Sequence, residues 1–380
     1  MAKKLLIASA GAGKTHKIAE ECCQLANNNN RVLIITYTEN NQKEIISKYN
    51  SMDITNPNNI IVKGWYTFLL EDLIRPYQAS IFSERINNIN FTTINPHFRN
   101  GRTIPGTAEK INGKFNSRHF LTSCKTKAHT EFLAKLATRI CATSSKKSIS
   151  RLESIYQHVF IDEVQDLAGW DFNVLKDMVK MKIPITCVGD FRQTIYSTTS
   201  NPKIPSTSQQ KLDAFSRLKF TTEYMSISRR CIQSICKFSD TIHKGEGYDE
   251  TKSLVDNIPL EFQEHQGVFI IPSSKQQEYI DTYSPVILRN SINSAKDLNL
   301  IPIKKVNFGV SKGLGFNRTL VVPTQNILNF LYGDLNAFDK GSSDKAKNNF
   351  YVASTRSRYS LAFLVEDNDI EKCRLPIWGG

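Results

Sequence analysis

Short apolar runs alternate with amphipathic stretches through the first part of the chain. Leu5-Leu6-Ile7 precedes the small-residue run 8–15, and residues 17–25 then carry apolar side chains at helical spacing until the Asn-rich stretch 27–30. Residues 32–35 form a mostly β-branched run that leads into Thr36-Tyr37-Thr38, and residues 40–49 read as a second helix. Ile60-Ile61-Val62 leads into Gly64-Trp65-Tyr66-Thr67-Phe68, where Phe68 starts an amphipathic run to Leu73. Helical spacing returns over 130–140, and apolar strands are expected before Asp162 and over 185–188. Strand, loop, helix, strand in that order predicts a parallel sheet, with the loops after the strand carboxyl ends gathered on one rim.

Residues 77–127 change character. They are rich in Asn, Thr, Arg and Lys, with turn punctuation at Gly101, Pro105 and Gly106, and read as a small insertion. Lys110, Lys114, Arg118, Lys125 and Lys127 make it basic, which suits a phosphate backbone or a solvated face. On the rim, Tyr37, Trp65 and Tyr66 sit in polar surroundings and are expected to meet bases, with Thr36 and Gly64 beside them. Phe68 is expected in the core.

The chain has 380 residues, enough for two domains, with 40% hydrophobic and 22% charged residues. Its 49 Lys plus Arg exceed 36 Asp plus Glu, giving a formal charge of +13, which favours a polyanionic partner such as nucleic acid. Eight Cys are scattered without a C-x-x-C pair, as in a reduced cytoplasmic protein. His119, Cys124 and His129 can be drawn as a metal set, but a surface position is the favoured reading and no metal site is claimed; no long apolar run or signal-peptide core is present.

The chemistry begins at ASAGAGKT, residues 8–15. A phosphate-binding loop needs small residues whose backbone N–H groups close on phosphate oxygens, a Lys to reach them, and a hydroxyl for Mg²⁺. Ala10, Gly11, Ala12, Gly13, Lys14 and Thr15 supply these parts, in a relaxed form with Ala8 where the strict pattern has Gly. The second anchor, HVFIDEVQDL at 158–167, ends an apolar strand in paired carboxylates. Asp162 is suited to holding Mg²⁺ through water and Glu163 to deprotonating an attacking water. In VGDFRQTIY, residues 188–196, Gln193 is suited to sensing a γ-phosphate.

With these boxes in place, the chain resembles the UvrD-like helicases of superfamily 1, including the RecB-like branch with the same relaxed loop. TYTENNQKEI at 36–45 is similar to TFTNKAA-x-EM, IDEVQD at 161–166 to DExQD, and VGDFRQTIY to VGDxxQxIY. MSISRRC at 225–231 resembles L-x-x-NYRS, VSKGLGF at 310–316 resembles H-SAKGLEF, and FYVASTRSR at 350–358 resembles LLYVALTRA.

The resemblance implies an α/β protein of two RecA-like P-loop NTPase domains with parallel sheets. The first would comprise residues 1–76 and 128–204, carry the insertion 77–127, and be followed by the second over 205–375. ATP with Mg²⁺ is the implied cofactor, other NTP or dNTP remaining open, and the nucleotide would lie in the cleft between the domains. Lys14, Thr15, Asp162, Glu163 and Gln193 would come from the first domain. Arg230 as a phosphate contact, Arg356 as arginine finger and Gly313 would come from the second. Single-stranded or tailed DNA, contacted also by Tyr196, would be moved 3′ to 5′.

Departures from the family pattern qualify this reading. The glutamine segment that reads adenine upstream of the loop has no counterpart in the seven residues before Ala8, Arg229 replaces the base-stacking tyrosine of NYRS, and His16 follows GKT, so base discrimination is expected to be weaker. Ser197-Thr198-Thr199 stands where an aromatic and an RGA step grip DNA, Gly315 replaces the Glu of KGLEF, and Gly309 replaces its upstream His. Residues 239–305 leave no room for a large accessory domain, and nuclease activity is expected from a separate partner. Compact relatives resemble the helicase-like subunits encoded with OLD-family nucleases in antiphage systems such as Gabija. Two other uses stay open: a DNA-end-sensing NTPase that depletes nucleotides or activates a nuclease, and a non-catalytic module that binds DNA or a partner.

Overall fold

Parallel strands buried on both faces organise each half of the chain in the computed structural model, which describes residues 2–92, 94–198, 204–294, 298, 301–339 and 344–379. Two units are distinguished: residues 1–7, 14–189 and 196–223 form one, and residues 8–13, 190–195 and 224–380 the other.

The first unit is built on β1 (Lys3–Ala8), β2 (Val32–Thr36), β3 (Ile60–Gly64), β4 (His158–Ile161), β5 (Ile185–Gly189) and β6 (Thr221–Met225), hydrogen-bonded in the order β6-β1-β5-β4-β2-β3. The ladders β1·β5, β5·β4, β4·β2 and β2·β3 are parallel. Every residue of β2 and β5 is buried, as a sheet covered on both sides requires. The expected helices form as α1 (Lys14–Asn27) and α2 (Glu39–Asn50), the latter capped by Thr38, whose hydroxyl accepts the N–H of Asn41 at 3.2 Å. Residues Leu69–Ile74, read as an amphipathic run, wind into a π-helical turn that buries Leu69, Leu70, Leu73 and Ile74. Phe68 is in the core as expected.

The insertion is made of short pieces. Residues 88–90 pair with 127–129, and two hairpins join 98–99 to 102–103 and 110–111 to 114–115. It is tied down by Glu109, which takes Lys135 at 2.7 Å and Arg139 at 2.6 Å. His119 is buried with Nδ1 2.8 Å from the carbonyl of Thr107, and Cys124 is exposed. No group of three or more His, Cys, Asp or Glu among the described residues is arranged to hold a metal ion.

The second unit carries β7 (Gly267–Pro272), β8 (Val286–Arg289), β9 (Lys305–Asn307), β10 (Phe316–Val321) and β11 (Ser357–Val365), in the order β7-β11-β10-β8-β9 with parallel ladders. Alternation sorts their side chains into two cores. Ile270, Leu288, Val321, Leu361 and Phe363 pack on one side, and Ile271, Ile287, Leu320 and Ala362 on the other. The chain is thus α/β with two parallel sheets, of six and five strands. No described helix is long and apolar enough to cross a membrane.

Candidate active site

The loop after β1 turns through two left-handed residues, Gly11 at φ 76° and Gly13 at φ 80°. A side chain would be strained at either position. The N–H of Ala12 closes a turn onto the carbonyl of Ser9 at 3.1 Å, and α1 begins at Lys14. A helix of this length presents unpaired N–H groups and a positive dipole end to an anion. Gly11 has a second reason to be glycine: a Cβ there would stand 2.6 Å from Cβ of Arg230 and 2.8 Å from Oγ of Ser228. The N–H of Arg229 donates to the Gly11 carbonyl at 2.9 Å, and that of Ala10 to the Tyr351 hydroxyl at 3.3 Å. Lys14 and Thr15 are half-buried, and His16 is exposed.

At the end of β4, the N–H of Asp162 extends the ladder to the carbonyl of Ile35 at 2.8 Å. Glu163 then adopts φ 55°, uncommon for a residue with a side chain. This kink puts its N–H 2.9 Å from Oδ1 of Asp162 and its Oε1 3.7 Å from Nζ of Lys14. The amide of Gln165 donates to the other Glu163 oxygen. Asp162 is 4% exposed. Burial first, then the negative charge of Glu163, lifts its carboxyl well above the usual carboxylate range, with Lys14 acting in the opposite direction.

Such a carboxyl marks a place short of positive charge, which a divalent cation accompanied by phosphate relieves. The residues fit Mg²⁺: Asp162 and the Thr15 hydroxyl are hard oxygen donors, and the ion would complete its shell with phosphate oxygens and water.

Gln193, Arg230 and Arg356 belong to the second unit and lie close together there. Arg356, at the turn between helix Lys345–Ser354 and β11, is fully buried. Its Nε donates to the Val352 carbonyl at 2.9 Å, Nη1 to that of Leu314 at 3.0 Å, and Nη2 to Oγ1 of Thr355 at 3.1 Å and Oε1 of Gln193 at 3.4 Å. Burial, reinforced by the charge of Arg230, lowers the guanidinium to about 9. Every nitrogen of the expected arginine finger therefore has a protein partner, and reaching a phosphate requires exchanging at least one. Arg230 is half-buried, with Nη1 3.4 Å from the Thr355 carbonyl. Arg229 and Gly313 are exposed, the latter at φ 85°.

The expected base contacts divide. Trp65 is a correction: it is 1% exposed, and its indole N–H donates to Oδ1 of buried Asp171 at 2.8 Å, so its ring is a core element with no face open to a base. Thr36 and Gly64 are buried, the Thr36 hydroxyl having no hydrogen-bond partner. Tyr37 and Tyr66 are half-buried, their hydroxyls directed to the carbonyls of Ser197 at 3.4 Å and Thr198 at 2.8 Å, and their rings meet edge to face at 5.9 Å. Burial pushes the Tyr66 phenol well above its ordinary range. Tyr196 is 40% exposed, and Thr199 lies outside the described residues.

Phe91 was missed by sequence reasoning. It is 70% exposed and meets the Tyr66 ring edge to face at 5.9 Å. Its signal was a lone aromatic inside the polar stretch Asn88-Ile89-Asn90-Phe91-Thr92. Arg192, a charged residue between Phe191 and Gln193, was missed as well. It is buried, and its Nη2 donates to Oγ of Ser9 at 2.9 Å.

A family profile described as an AAA domain matches residues 2–199. No curated protein matches the chain. A solved structure of the Arterivirus nonstructural protein 10, described as a helicase in complex with DNA, is similar over 97% of this chain and 61% of that one, with 10% identity and a TM-score of 0.45. The present chain thus spans less than two thirds of that protein's length.

Proposed function

The chain belongs to the AAA domain family, and from that premise we propose that it is a DNA-dependent ATPase of the UvrD-like superfamily 1 type, moving 3′ to 5′ on single-stranded DNA. The observation that carries the reading is the approach of Lys14 to Glu163 beside buried Asp162, at the carboxyl end of parallel strands and at the start of a helix. Lys14 and the loop amides hold the phosphates of ATP, and Thr15 and Asp162 hold Mg²⁺, which supplies charge neutralisation at the transferring phosphoryl group. Glu163, with Oε1 3.7 Å from Nζ of Lys14, accepts the proton of the attacking water. Gln193, Arg230 and Arg356 answer to the state of the γ-phosphate, Arg356 by trading a carbonyl partner for a phosphate oxygen. Tyr37, Tyr66 and Tyr196 meet the DNA. A separate nuclease, OLD-type by the family resemblance, uses the motor in DNA processing or phage defence.

The test is ATP hydrolysis by the purified chain without DNA, with single strands and with tailed or blunt duplexes, alongside strand displacement in the same tubes. Hydrolysis stimulated by single strands and accompanied by displacement is expected. Stimulation by duplex ends alone, without displacement, would replace the motor with an end-sensing NTPase. The burial of Trp65 favours that second reading, because it removes one of the anticipated stacking faces.

A further inference from the structure

Arg192 is 2% exposed, and a guanidinium taken out of water destabilises the fold unless its charge and donors are matched. Two carboxylates match it: Nε lies 3.1 Å from Oδ1 of Asp190, and Nη1 3.3 Å from Oδ1 of Asp240. Its Cζ lies over the rings of Tyr248 and Tyr351, each with its centroid 4.7 Å away. Charge is therefore balanced without the remaining contact, the 2.9 Å bond from Nη2 to Ser9 Oγ in the phosphate loop.

Two branches leave this guanidinium. On one, Arg192 holds Ser9 directly, and Tyr351, the ring lying on it, accepts the N–H of the next loop residue, Ala10. Thr251 Oγ1 adds a contact at 3.0 Å to Ser9 and one at 2.8 Å to Asp240, closing the ring of partners. On the other, Asp190 receives Arg192 on Oδ1 and the Gln193 amide on Oδ2 at 2.8 Å, while Oε1 of Gln193 takes Arg356. Swapping the amide's two ends would face donor to donor and acceptor to acceptor, so Asp190 fixes which end of Gln193 points where. Arg192 in turn fixes Asp190.

We propose that Arg192 is a positioning residue that sets the phosphate loop and the Gln193 amide together, so that nucleotide binding and γ-phosphate sensing share one buried anchor. This rests on the ATPase reading above. Lys at this position keeps the charge but cannot reach Asp190, Asp240 and Ser9 from three separate nitrogens.

The test is KM for ATP, kcat and Tm for the wild type and for Arg192→Lys, Arg192→Met and Ser9→Ala. Ser9→Ala severs only the loop branch and is expected to raise KM more than it lowers kcat. Arg192→Met severs both branches and changes both constants, by about 10- to 100-fold as for other residues that orient a reacting group. Arg192→Lys recovers Tm toward the wild type but leaves KM raised. A residue that only stabilised the core would move Tm and leave KM of the folded fraction alone, so wild-type KM in both Arg192→Lys and Ser9→Ala overturns the proposal. Those two variants decide it if Arg192→Met does not fold. A wild type that hydrolyses no ATP with or without DNA would instead defeat the ATPase reading. In that case the binding of a fluorescent ATP analogue is compared between wild type and Ser9→Ala, where equal affinity overturns the inference and weaker binding supports its loop branch.

Discussion

The side-chain amide of Gln165 donates to the carboxylate of Glu163, holding the proposed general base from two residues along the same turn. Gly189, at the end of β5, leaves the space for this. A Cβ there would stand 2.5 Å from Oε1 of Gln165 and 3.0 Å from Cγ2 of Val164. Gly189→Ala is expected to push Gln165 aside and release Glu163, lowering kcat about tenfold or more with a smaller change in KM. Its stability cost is about 1–3 kcal/mol by overpacking. Steady-state kinetics with a parallel denaturation curve measure both, and an unchanged kcat would separate Gln165 from the chemistry.

Glu163→Gln keeps the shape of the site and removes the base. Hydrolysis should fall by about 10² to 10⁴, the contribution typical of a positioned proton acceptor, with nucleotide binding retained. Lys14→Ala should abolish hydrolysis while leaving DNA binding intact. Normal turnover in either variant rules out the assignment.

Trp65 and Phe91 should behave in opposite ways. Trp65→Phe strips the hydrogen bond from buried Asp171 and is expected to cost about 1–3 kcal/mol of stability, with single-strand affinity unchanged. Phe91→Ala removes an exposed ring and is expected to leave Tm alone while weakening single-strand binding by about 1–3 kcal/mol, the worth of one base stacked on an aromatic. Anisotropy titrations of a labelled oligonucleotide, paired with thermal melts, distinguish the two.

His265 gives the second unit an acid-sensitive core. Its ring is stacked between Phe269 at 4.7 Å and Tyr283 at 4.0 Å, and neither ring nitrogen has a hydrogen-bond partner. Burial, with Arg318 adding positive charge, holds it at about 4 against an ordinary 6.5. The unfolded chain therefore takes up the proton first, so the stability that neutral His265 contributes is present above pH 6.5 and is lost as pH falls toward 4. His265→Phe should flatten the fall of Tm over that interval, and an unaltered slope would assign the acid sensitivity to other groups.

Local patterns carried much of the fold and less of the site. Val32 to Ile35 and Ile185 to Val188 read as buried strands because apolar runs of that length have few other uses, and the glycines of the phosphate loop betrayed its turn. Trp65 was misjudged because its neighbours in sequence are polar, whereas its partner Asp171 is 106 positions away and itself buried. Arg192 was passed over for a related reason. A lone cation inside a box says nothing of one distant carboxylate and two distant tyrosines, and only folding brings Asp240, Tyr248 and Tyr351 around it. Glu163 was identifiable as an acid, but its left-handed backbone could not be anticipated from a residue type that seldom adopts it.

Arg356 is gripped mostly by main-chain carbonyls, those of Val352, Leu314 and Ser311. A carbonyl is the same whatever side chain its residue bears, so the socket tolerates drift in the letters around it. Leu314, 42% exposed, is free to be exchanged without loosening that hold. A lineage can thus exchange the Leu314 side chain while inheriting the same seat for the arginine, provided the backbone path through Gly313 at φ 85° is kept.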